Sequence, residues 1–299
     1  MKINRYLTFL TVLLVTQSCK PSKNTDALRE SITQELAKNE GMFAVAFKDL
    51  STGETFFLNE KERFHAASTM KTPVMIEVYK QAAAGKFSLT DSIEIKNTFT
   101  SIVDGSPYSL SPTDDSEQGL YGQVGTKRTL SDLVYDMIIV SSNLATNIVI
   151  ELVDAKSVTQ TMRSLGANDI EVLRGVEDQK AYDQGLSNTT TAYDLMVIFE
   201  ALAKGEVVSK ETSDAMIDIL LDQRFNEIIP AHLPAGVKVA HKTGSITGVH
   251  HDSGIVRLPD GRQYVLVLLS KSLADFDAGT ASMANVSRLI YEHMVGGTD

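Results

Sequence analysis

The sequence predicts an α+β fold in which one antiparallel sheet of about five strands is flanked by helices and carries an inserted all-helical subdomain. Strand patterns occur in two blocks, at residues 42–60 and again after residue 236, and only helical patterns lie between them. Amphipathic helical patterns also stand near both ends of the chain. A single sheet built from both ends of the chain accounts for this order most simply.

The 299-residue chain is long enough for one large domain with a substantial apolar core. We expect a single domain at 25–299, with the sheet-containing part at 25–67 and 206–299 and the helical part at 68–205. The formal net charge of −10 argues against a nucleic-acid partner and against binding to a broad anionic membrane surface. It does not indicate a function more closely.

The N-terminus has the pattern of a secretory signal. Lys2 and Arg5 precede an apolar run from about Leu7 to Val15, which is too short to cross a bilayer as a helix of about 20 residues. Cys19 is the only cysteine and stands where a bacterial lipoprotein carries its lipid. We therefore expect a signal peptide at 1–19, a polar tether at 20–24, and an exported, periplasmic lipoprotein anchored through Cys19. A plain secreted protein is the alternative.

The first predicted helix and hairpin follow this tether. Thr25 can cap a helix whose apolar residues Leu28, Ile32 and Leu36 share one face. Two β-rich runs then surround a turn at Ser51–Gly53. These elements predict a helix followed by the first two strands of the sheet.

Helical patterns dominate residues 68–205. One helix is predicted to begin at Ser68 and to end at Gly85. Further helices are predicted to begin at capping sequences starting at Thr129, Ser157 and Thr191. The stretch from Asn97 to Arg128 is rich in Ser, Asp, Gly and Pro and is too long for a routine connection, so we expect a surface lid or flap there.

The last part of the chain completes the predicted sheet. A further helix follows Ser209, and "GVKVAHKTG" is then a candidate strand. The stretch "SGIVRLPDGRQYVLVLLSK" reads as a hairpin with Asp260-Gly261 at its turn. A final helix is expected from about Ala281 to Met294.

The stretch "HAASTMKTP" contains a serine and a lysine that could perform chemistry together. Ser68 and Lys71 are three residues apart, so on a helix they share a face. A serine hydroxyl needs an adjacent base to become a nucleophile, and a partly desolvated lysine can serve. The helix N-terminus also favours developing negative charge on the hydroxyl. Taken alone, the pair is better explained by Ser68 capping a helix, because Ser-x-x-Lys recurs by chance.

Two further stretches contain residues suited to the same chemistry. "IVSSNLATN" places Ser141 and Asn143 between two apolar helical runs, where they could also be caps. "VAHKTGSITG" places Lys242, Thr243 and Gly244 at the end of a valine-rich strand. A lysine and a hydroxyl can bind a carboxylate there, and the glycine lets a substrate backbone approach the strand edge.

These three stretches, in this order, resemble the motifs of the penicillin-recognising serine hydrolases, most closely the class A β-lactamases. The resemblance extends from about Thr25 to Met294 and includes "LSNTTTAYDL", which is similar to the family's helix start after its omega loop. It implies a β-lactamase/transpeptidase-like fold, an acyl-enzyme on Ser68 and hydrolysis of the amide bond of β-lactams. The chain is thus identified as a divergent member of that family.

The resemblance also implies roles for individual residues. Lys71 would accept or relay the proton of Ser68, and Ser141 would pass a proton to the leaving nitrogen. Asn143 would hold the substrate's side-chain amide, and Lys242 and Thr243 would bind its carboxylate. Gly244 precedes Ser245, whose backbone N–H, with that of Ser68, would form the oxyanion hole.

The sequence departs from the class A pattern at three places. The family shows Ser-Asp-Asn where this chain has Ser141-Ser142-Asn143, a change from which we expect little effect. The family's Arg-x-Glu-x-x-x-Asn is matched poorly, because Glu177 lies one residue late after Arg174 and Ala181 replaces the asparagine. Glu177 remains the best candidate for the base that activates water, with Asp178 second.

A third departure affects the same loop. Asn188 stands where the family has the aspartate that pairs with the arginine. If no base activates water, acylation could proceed while hydrolysis stalls, since a positioned base contributes about 10²–10⁴-fold. The alternatives to a β-lactamase are therefore a peptidase directed at D-Ala-D-Ala cell-wall peptides, a slowly deacylating penicillin-binding lipoprotein, and a non-catalytic sensor.

We expect no cofactor and no metal. His241, His250 and His251 lack a carboxylate or cysteine at ligand spacing, and we expect His241 and His251 to line the sheet or the rim of the site. The expected partner is a small β-lactam or cell-wall peptide substrate, and the expected state is a monomer.

Overall fold

A computed structural model describes residues 23–296 of the chain. The predicted signal sequence, Cys19 and residues 20–22 of the tether lie outside the described residues. In chain order the helices are α1 (Lys23–Leu36), α2 (Lys71–Ala83), α3 (Leu130–Ile139), α4 (Asn143–Val153), α5 (Ala155–Ser164), α6 (Gln179–Asp183), α7 (Ala192–Ala203), α8 (Lys210–Leu221) and α9 (Phe276–Gly296). Within residues 23–296, none of these helices combines the length and the apolar character needed to cross a membrane.

The strands form one main sheet and three short pairs. They are β1 (Met42–Asp49), β2 (Thr55–Leu58), β3 (Phe64–His65), β4 (Ser92–Glu94), β5 (Phe99–Thr100), β6 (Pro107–Tyr108), β7 (Lys127–Thr129), β8 (Thr189–Thr190), β9 (Lys238–Ile246), β10 (Val249–Arg257) and β11 (Gln263–Lys271). The main sheet is five-stranded in the order β2-β1-β11-β10-β9, and its neighbouring strands are antiparallel. The predicted sheet, built from both ends of the chain, is confirmed.

Side chains that alternate along the strands give the sheet two apolar faces. On β11 the residues facing the helical block are Val265, Val267 and Leu269. The residues facing α1 and α9 are Tyr264, Leu266 and Leu268. The molecule therefore has three layers, with α1 and α9 on one side of the sheet and the helical block on the other. Fully burying such a side chain contributes about 1.5–3 kcal/mol.

Several predicted helix starts are confirmed by their capping contacts. The Thr129 side chain accepts a hydrogen bond from the N–H of Asp132, and the Thr191 side chain accepts one from the N–H of Asp194. Ser209 caps α8 in the same way. Each contact satisfies a backbone donor that has no partner within its helix.

Four predicted helix starts are wrong: the start at Ser68, which is described with the active site, and three others. Thr25 lies within helix α1 instead of capping it, and it donates its hydroxyl to Glu54 at 2.7 Å. Helix α5 begins at Ala155, not after a capping box that starts at Ser157. Its cap is Asp154, whose carboxylate accepts the N–H of Ser157 at 3.2 Å. Helix α9 begins at Phe276, where the Asp275 carboxylate accepts the N–H of Ala278 at 2.9 Å. In α5 and α9 an aspartate just before the first turn provides the cap.

The stretch from Asn97 to Arg128, expected to be a surface lid or flap, contains regular structure and several buried residues. Parts of it pair as the short strands β5 and β6, and β7 pairs with β4. Ser101, Leu110, Asp115 and Leu120 are buried. The stretch contacts the helical block and forms a wall of the cleft described below, because its polar side chains bond to backbone groups there.

Candidate active site

A cleft lies between the edge strand β9 and the helical block. It has two lobes of about 320 and 440 Å³, and Ser68, Asn143 and Ser245 line both. The loop-side lobe is lined further by His65 and by residues of the loop 174–188, among them Arg174, Glu177 and Tyr182. The α9-side lobe is lined further by Ser141, Phe225, Thr243, His250 and Phe276, among others. The cleft thus collects residues from all the predicted motifs.

Ser68 stands at the junction of the two lobes. It lies in a 3₁₀ turn, Ala67–Met70, and α2 begins only at Lys71, so the helix predicted to start at Ser68 starts three residues later. Ala67 has φ of 45°, a left-handed conformation that costs a non-glycine residue about 1–3 kcal/mol. His65 Nδ1 accepts the Ala67 N–H at 3.0 Å and holds this turn. Among residues 23–296, no hydrogen-bond partner occupies the Ser68 hydroxyl, which is half-buried.

Lys71 is fully buried one turn beyond Ser68. Its Nζ lies 2.7 Å from the carbonyl oxygen of Ser141, 2.9 Å from Oδ1 of Asn143 and 3.1 Å from Oγ of Ser141. Burial lowers the pKa of Lys71 to about 7, although the carboxylates of Asp115 and Glu177 oppose the shift. A lysine near this pKa is partly neutral at pH 7 and can accept a proton.

Ser141 lies between two amines. Its Oγ is 3.1 Å from Nζ of Lys71 and 3.1 Å from Nζ of Lys242. Lys242 is also fully buried and donates to the carbonyl of Thr243 at 2.8 Å. Burial lowers the pKa of Lys242 well below its usual range, and the charge of Lys71 lowers it further. The serine hydroxyl can therefore exchange protons with one amine while it accepts a hydrogen bond from the other.

Asn143 joins Lys71 to Glu177. Its Oδ1 accepts from Lys71, and its Nδ2 donates to Oε1 of Glu177 at 2.9 Å. Glu177 is half-buried, and burial raises the pKa of its carboxyl group, which the hydrogen bond from Asn143 opposes. Both Ser141 and Glu177 have positive φ, 56° and 61°. Such strain in non-glycine residues is concentrated at functional sites.

The third motif lies on the edge strand. Thr243, Gly244 and Ser245 follow Lys242 on β9, and all three line the α9-side lobe. Side chains of neighbouring strand residues point to opposite faces, so Lys242 and Gly244 face the helical block, while Thr243 and Ser245 face the α9 side and line the α9-side lobe of the cleft. Every predicted site residue is thereby brought to the cleft or its floor.

The loop that carries Glu177 is held by hydrogen bonds from the side chains of Asn188 and Arg174 to backbone groups. These bonds stand in place of the arginine–aspartate pair of the class A family. Asn188 Oδ1 accepts the N–H groups of Leu173 and Arg174, at 2.8 and 3.2 Å, and its Nδ2 donates to the Arg174 carbonyl at 2.9 Å. The Arg174 guanidinium donates to the carbonyls of Leu186 and Gly175, each at 2.9 Å. The substitution of asparagine for aspartate is thus compensated locally.

Asp178, the second candidate for the base, lines the loop-side lobe and has its carboxylate engaged in hydrogen bonds. Its side chain is 1% exposed and caps α6. Its carboxylate accepts from the Ser101 hydroxyl at 2.9 Å, the Ile102 N–H at 3.0 Å and the Ala181 N–H at 3.2 Å. These bonds anchor the loop to the stretch from Asn97 to Arg128.

Two residues that the sequence did not single out contact the site residues. Asp115 is 4% exposed and accepts the N–H groups of Asn143 and Leu144. Asn147 donates to the Val176 carbonyl at 3.0 Å and accepts the Val176 N–H at 2.6 Å, next to Glu177. An asparagine one turn after Asn143 on an apolar helix was a usable signal, whereas nothing distinguishes Asp115 from Asp114 in the sequence.

The three histidines of the last strands have separate environments. His241 and His251 are buried within the sheet, and His241 Nδ1 lies 2.8 Å from Oδ1 of Asp252. His250 lines the α9-side lobe and stacks on Phe276 with ring centroids 4.7 Å apart. In the described part of the chain, no cluster of His, Cys, Asp and Glu is placed to hold a metal ion.

The fold thus places Ser68 in a cleft between a sheet edge and a helical block. The model of the β-lactamase enzyme family matches residues 27–294. The chain therefore belongs to this family, as a divergent, class A-like member.

Individual relatives show how divergent it is. The extended-spectrum β-lactamase PER-1 of Pseudomonas aeruginosa is 25% identical over 97% of this chain and 95% of its own length. The crystal structure of a β-lactamase from Sphaerobacter thermophilus is 29% identical with a TM-score of 0.77, covering 91% of this chain and 98% of that one. The structure of PBP-A is 25% identical with the same TM-score of 0.77, covering 90% and 96% of the two chains.

Proposed function

We propose that this protein is a serine β-lactamase that forms an acyl-enzyme on Ser68 and hydrolyses the amide bond of β-lactam antibiotics. One observation carries the proposal: a continuous hydrogen-bonded chain runs from Lys242 through Ser141, Lys71 and Asn143 to Glu177, and Ser68 lines the same cleft as Ser141, Asn143 and Glu177. A nucleophile with a base and an acid within reach is the arrangement that acyl transfer requires.

In the acylation step, Ser68 Oγ attacks the lactam carbonyl and a C–O bond replaces the C–N bond. Lys71 receives the serine proton in its neutral form. Ser141 delivers a proton to the departing nitrogen and regains one from Lys71, so the transfer balances. The N–H groups of Ser68 and Ser245 stabilise the oxyanion, and Lys242 and Thr243 bind the substrate carboxylate.

In the deacylation step, Glu177 accepts a proton from the water that attacks the ester. Its half-buried carboxyl group is oriented by Asn143, and its raised pKa brings it closer to that of a base matched to neutral pH. Asn143 thereby connects Lys71, the proposed base of acylation, to Glu177, the proposed base of deacylation. A mutant of the related PBP-A has been solved as an acyl-enzyme complex with penicillin G, which supports acylation by this class of substrate.

The second candidate is a slowly deacylating penicillin-binding protein or a peptidase directed at D-Ala-D-Ala peptides. The specific observation in its favour is Ala181, four residues after Glu177. This residue is fully buried and has no polar side chain that could help Glu177 to hold a water molecule. The similarity to PBP-A agrees with this candidate.

The deciding experiment follows the intact mass of the purified protein after mixing with benzylpenicillin, together with the loss of the antibiotic. A β-lactamase gives an adduct that forms and disappears as the antibiotic is consumed. A persistent adduct with no further consumption selects the penicillin-binding protein. Ser68→Ala is the control, and any adduct or turnover in that variant contradicts the proposal.

We also propose that the protein is exported and anchored through a lipid on Cys19. The support is the N-terminal sequence alone: two basic residues, a short apolar run and a single cysteine after it. Metabolic labelling of producing cells with a radioactive fatty acid tests this. Label on the native chain and none on Cys19→Ser is the expected result, and an unlabelled native chain contradicts it.

A further inference from the structure

Two adjacent residues hold both sides of the turn that contains Ser141. Asp115 Oδ2 accepts the N–H of Asn143 and the N–H of Leu144, each at 2.9 Å, on the C-terminal side of the turn. Ser116 donates its hydroxyl to the carbonyl of Val140 at 2.6 Å, on the N-terminal side. These contacts come from a stretch more than twenty residues earlier in the chain.

The turn needs such support because its backbone is strained. Ser141 has φ of 56°, a region that costs a non-glycine residue about 1–3 kcal/mol and persists only where the surroundings determine it. The two N–H groups that Asp115 accepts begin helix α4, so they have no partner within the helix. Losing the carboxylate leaves them buried and unsatisfied.

Asp115 is itself held in one orientation. Its Oδ2 accepts the phenol hydroxyl of Tyr121 at 3.0 Å, and its Oδ1 accepts the N–H of Glu117 at 3.1 Å. A carboxylate with only 4% exposure is costly to bury unless such donors surround it. Four donors in fixed positions make this side chain a rigid support.

We propose that Asp115 is a positioning residue for acyl transfer, which holds the Ser141 turn so that Ser141 Oγ and Asn143 Oδ1 both face Nζ of Lys71, with Ser116 supporting the same turn from the other side. This inference rests on the proposed function. The negative charge of Asp115 has a second effect, because it opposes the lowering of the Lys71 pKa by burial. The family has an aspartate within its Ser-Asp-Asn motif. In this chain Asp115, from another part of the sequence, places a carboxylate beside the Ser-Ser-Asn motif.

The test measures single-turnover acylation of the full chain by benzylpenicillin from pH 5 to pH 9. In Asp115→Asn, the acylation rate constant falls about 10–100-fold, since displacement of reacting groups by about 1 Å can cost 10²-fold. The pH at which acylation reaches half its maximum also moves downward, because Lys71 loses a nearby negative charge. A residue that only stabilised the fold would leave that midpoint unchanged.

Asp132→Asn is the matched control, since it removes the same charge from an exposed aspartate in the first turn of α3. It leaves both the rate constant and the midpoint within about twofold of the native values. Ser116→Ala removes the other support at an exposed residue and lowers acylation by a smaller factor, about 3–10-fold, without moving the midpoint. If Asp115→Asn does not fold, the acylation rate constant of Ser116→Ala tests whether support of the Ser141 turn matters for acylation.

The outcomes separate the two proposals. If the native protein is acylated and Ser116→Ala has the same acylation rate constant, as does Asp115→Asn where it folds, this inference is overturned and the proposed function stands. A native protein that forms no adduct overturns the proposed function, and this inference with it.

Discussion

A Cβ atom placed on Gly244 would lie 2.9 Å from the backbone nitrogen of Ser68 and 3.0 Å from that of Thr69. Side-chain Cβ atoms do not approach a backbone so closely, and neither backbone is the end of a flexible group that could move aside. The edge strand β9 therefore contacts the nucleophile turn directly, and only glycine permits this distance.

Gly244→Ala is accordingly expected to separate β9 from the Ser68 turn. The Ser245 N–H, proposed as an oxyanion-hole donor, would move away from Ser68, so acylation by benzylpenicillin should fall about 10²-fold, which mass spectrometry over time measures. Gly122→Ala is the control, because a Cβ there meets no atom within 4 Å. Native-like acylation in Gly244→Ala would show that the strand can shift without loss of function.

Glu177→Gln tests the base for deacylation. Glutamine retains an oxygen that can accept from Asn143 Nδ2 but cannot take a proton from water. We expect acylation to stay within a few-fold of native while deacylation falls about 10²–10⁴-fold, so that the acyl-enzyme persists. Glu171→Gln, a change in the same region away from the cleft, should leave both steps unaltered. Unchanged turnover in Glu177→Gln would remove Glu177 from the mechanism.

The rate of acylation should depend on pH through Lys71. Its pKa of about 7 means that the amine is charged below this pH and neutral above it. Because only the neutral amine accepts the serine proton, acylation should rise about tenfold per pH unit below pH 7 and reach a plateau above it. Stopped-flow acylation between pH 5 and 9 measures the profile. Lys71→Arg stays charged over this range and should show no plateau; a flat native profile contradicts the role.

Asn188→Ala should destabilise the loop that carries Glu177. The substitution leaves the N–H groups of Leu173 and Arg174 and the carbonyl of Arg174 without their partner. Unsatisfied buried groups of this kind cost about 1–3 kcal/mol, which urea unfolding measures. Deacylation should slow more than acylation, since Glu177 is on this loop. Ser187→Ala is the neighbouring control, and equal stability of the two variants would contradict the account.

Much of the fold could be predicted because it depends on local patterns. The caps at Thr129, Thr191 and Ser209 and the Asp260-Gly261 turn follow from side chains that bond to backbone groups a few residues away. The errors occurred where a different nearby aspartate was the cap, as at Asp154. The contacts of the stretch from Asn97 to Arg128 could not be predicted, because its polar residues bond to distant groups, which no local period reveals.

The sequence by itself determined the order of helices and strands, the Ser68–Lys71 pair and the presence of the other two motifs, since these depend on residue type and short spacing. Only the tertiary structure decided which carboxylates contact the predicted site residues. Asp114 and Asp115 are equivalent as sequence, but folding places Asp115 against N–H groups 28 and 29 residues later in the chain. It also engages Asp178 in backbone contacts and leaves Glu177 beside Asn143. Burial and long-range hydrogen bonds make these assignments, and both arise only when the chain is packed.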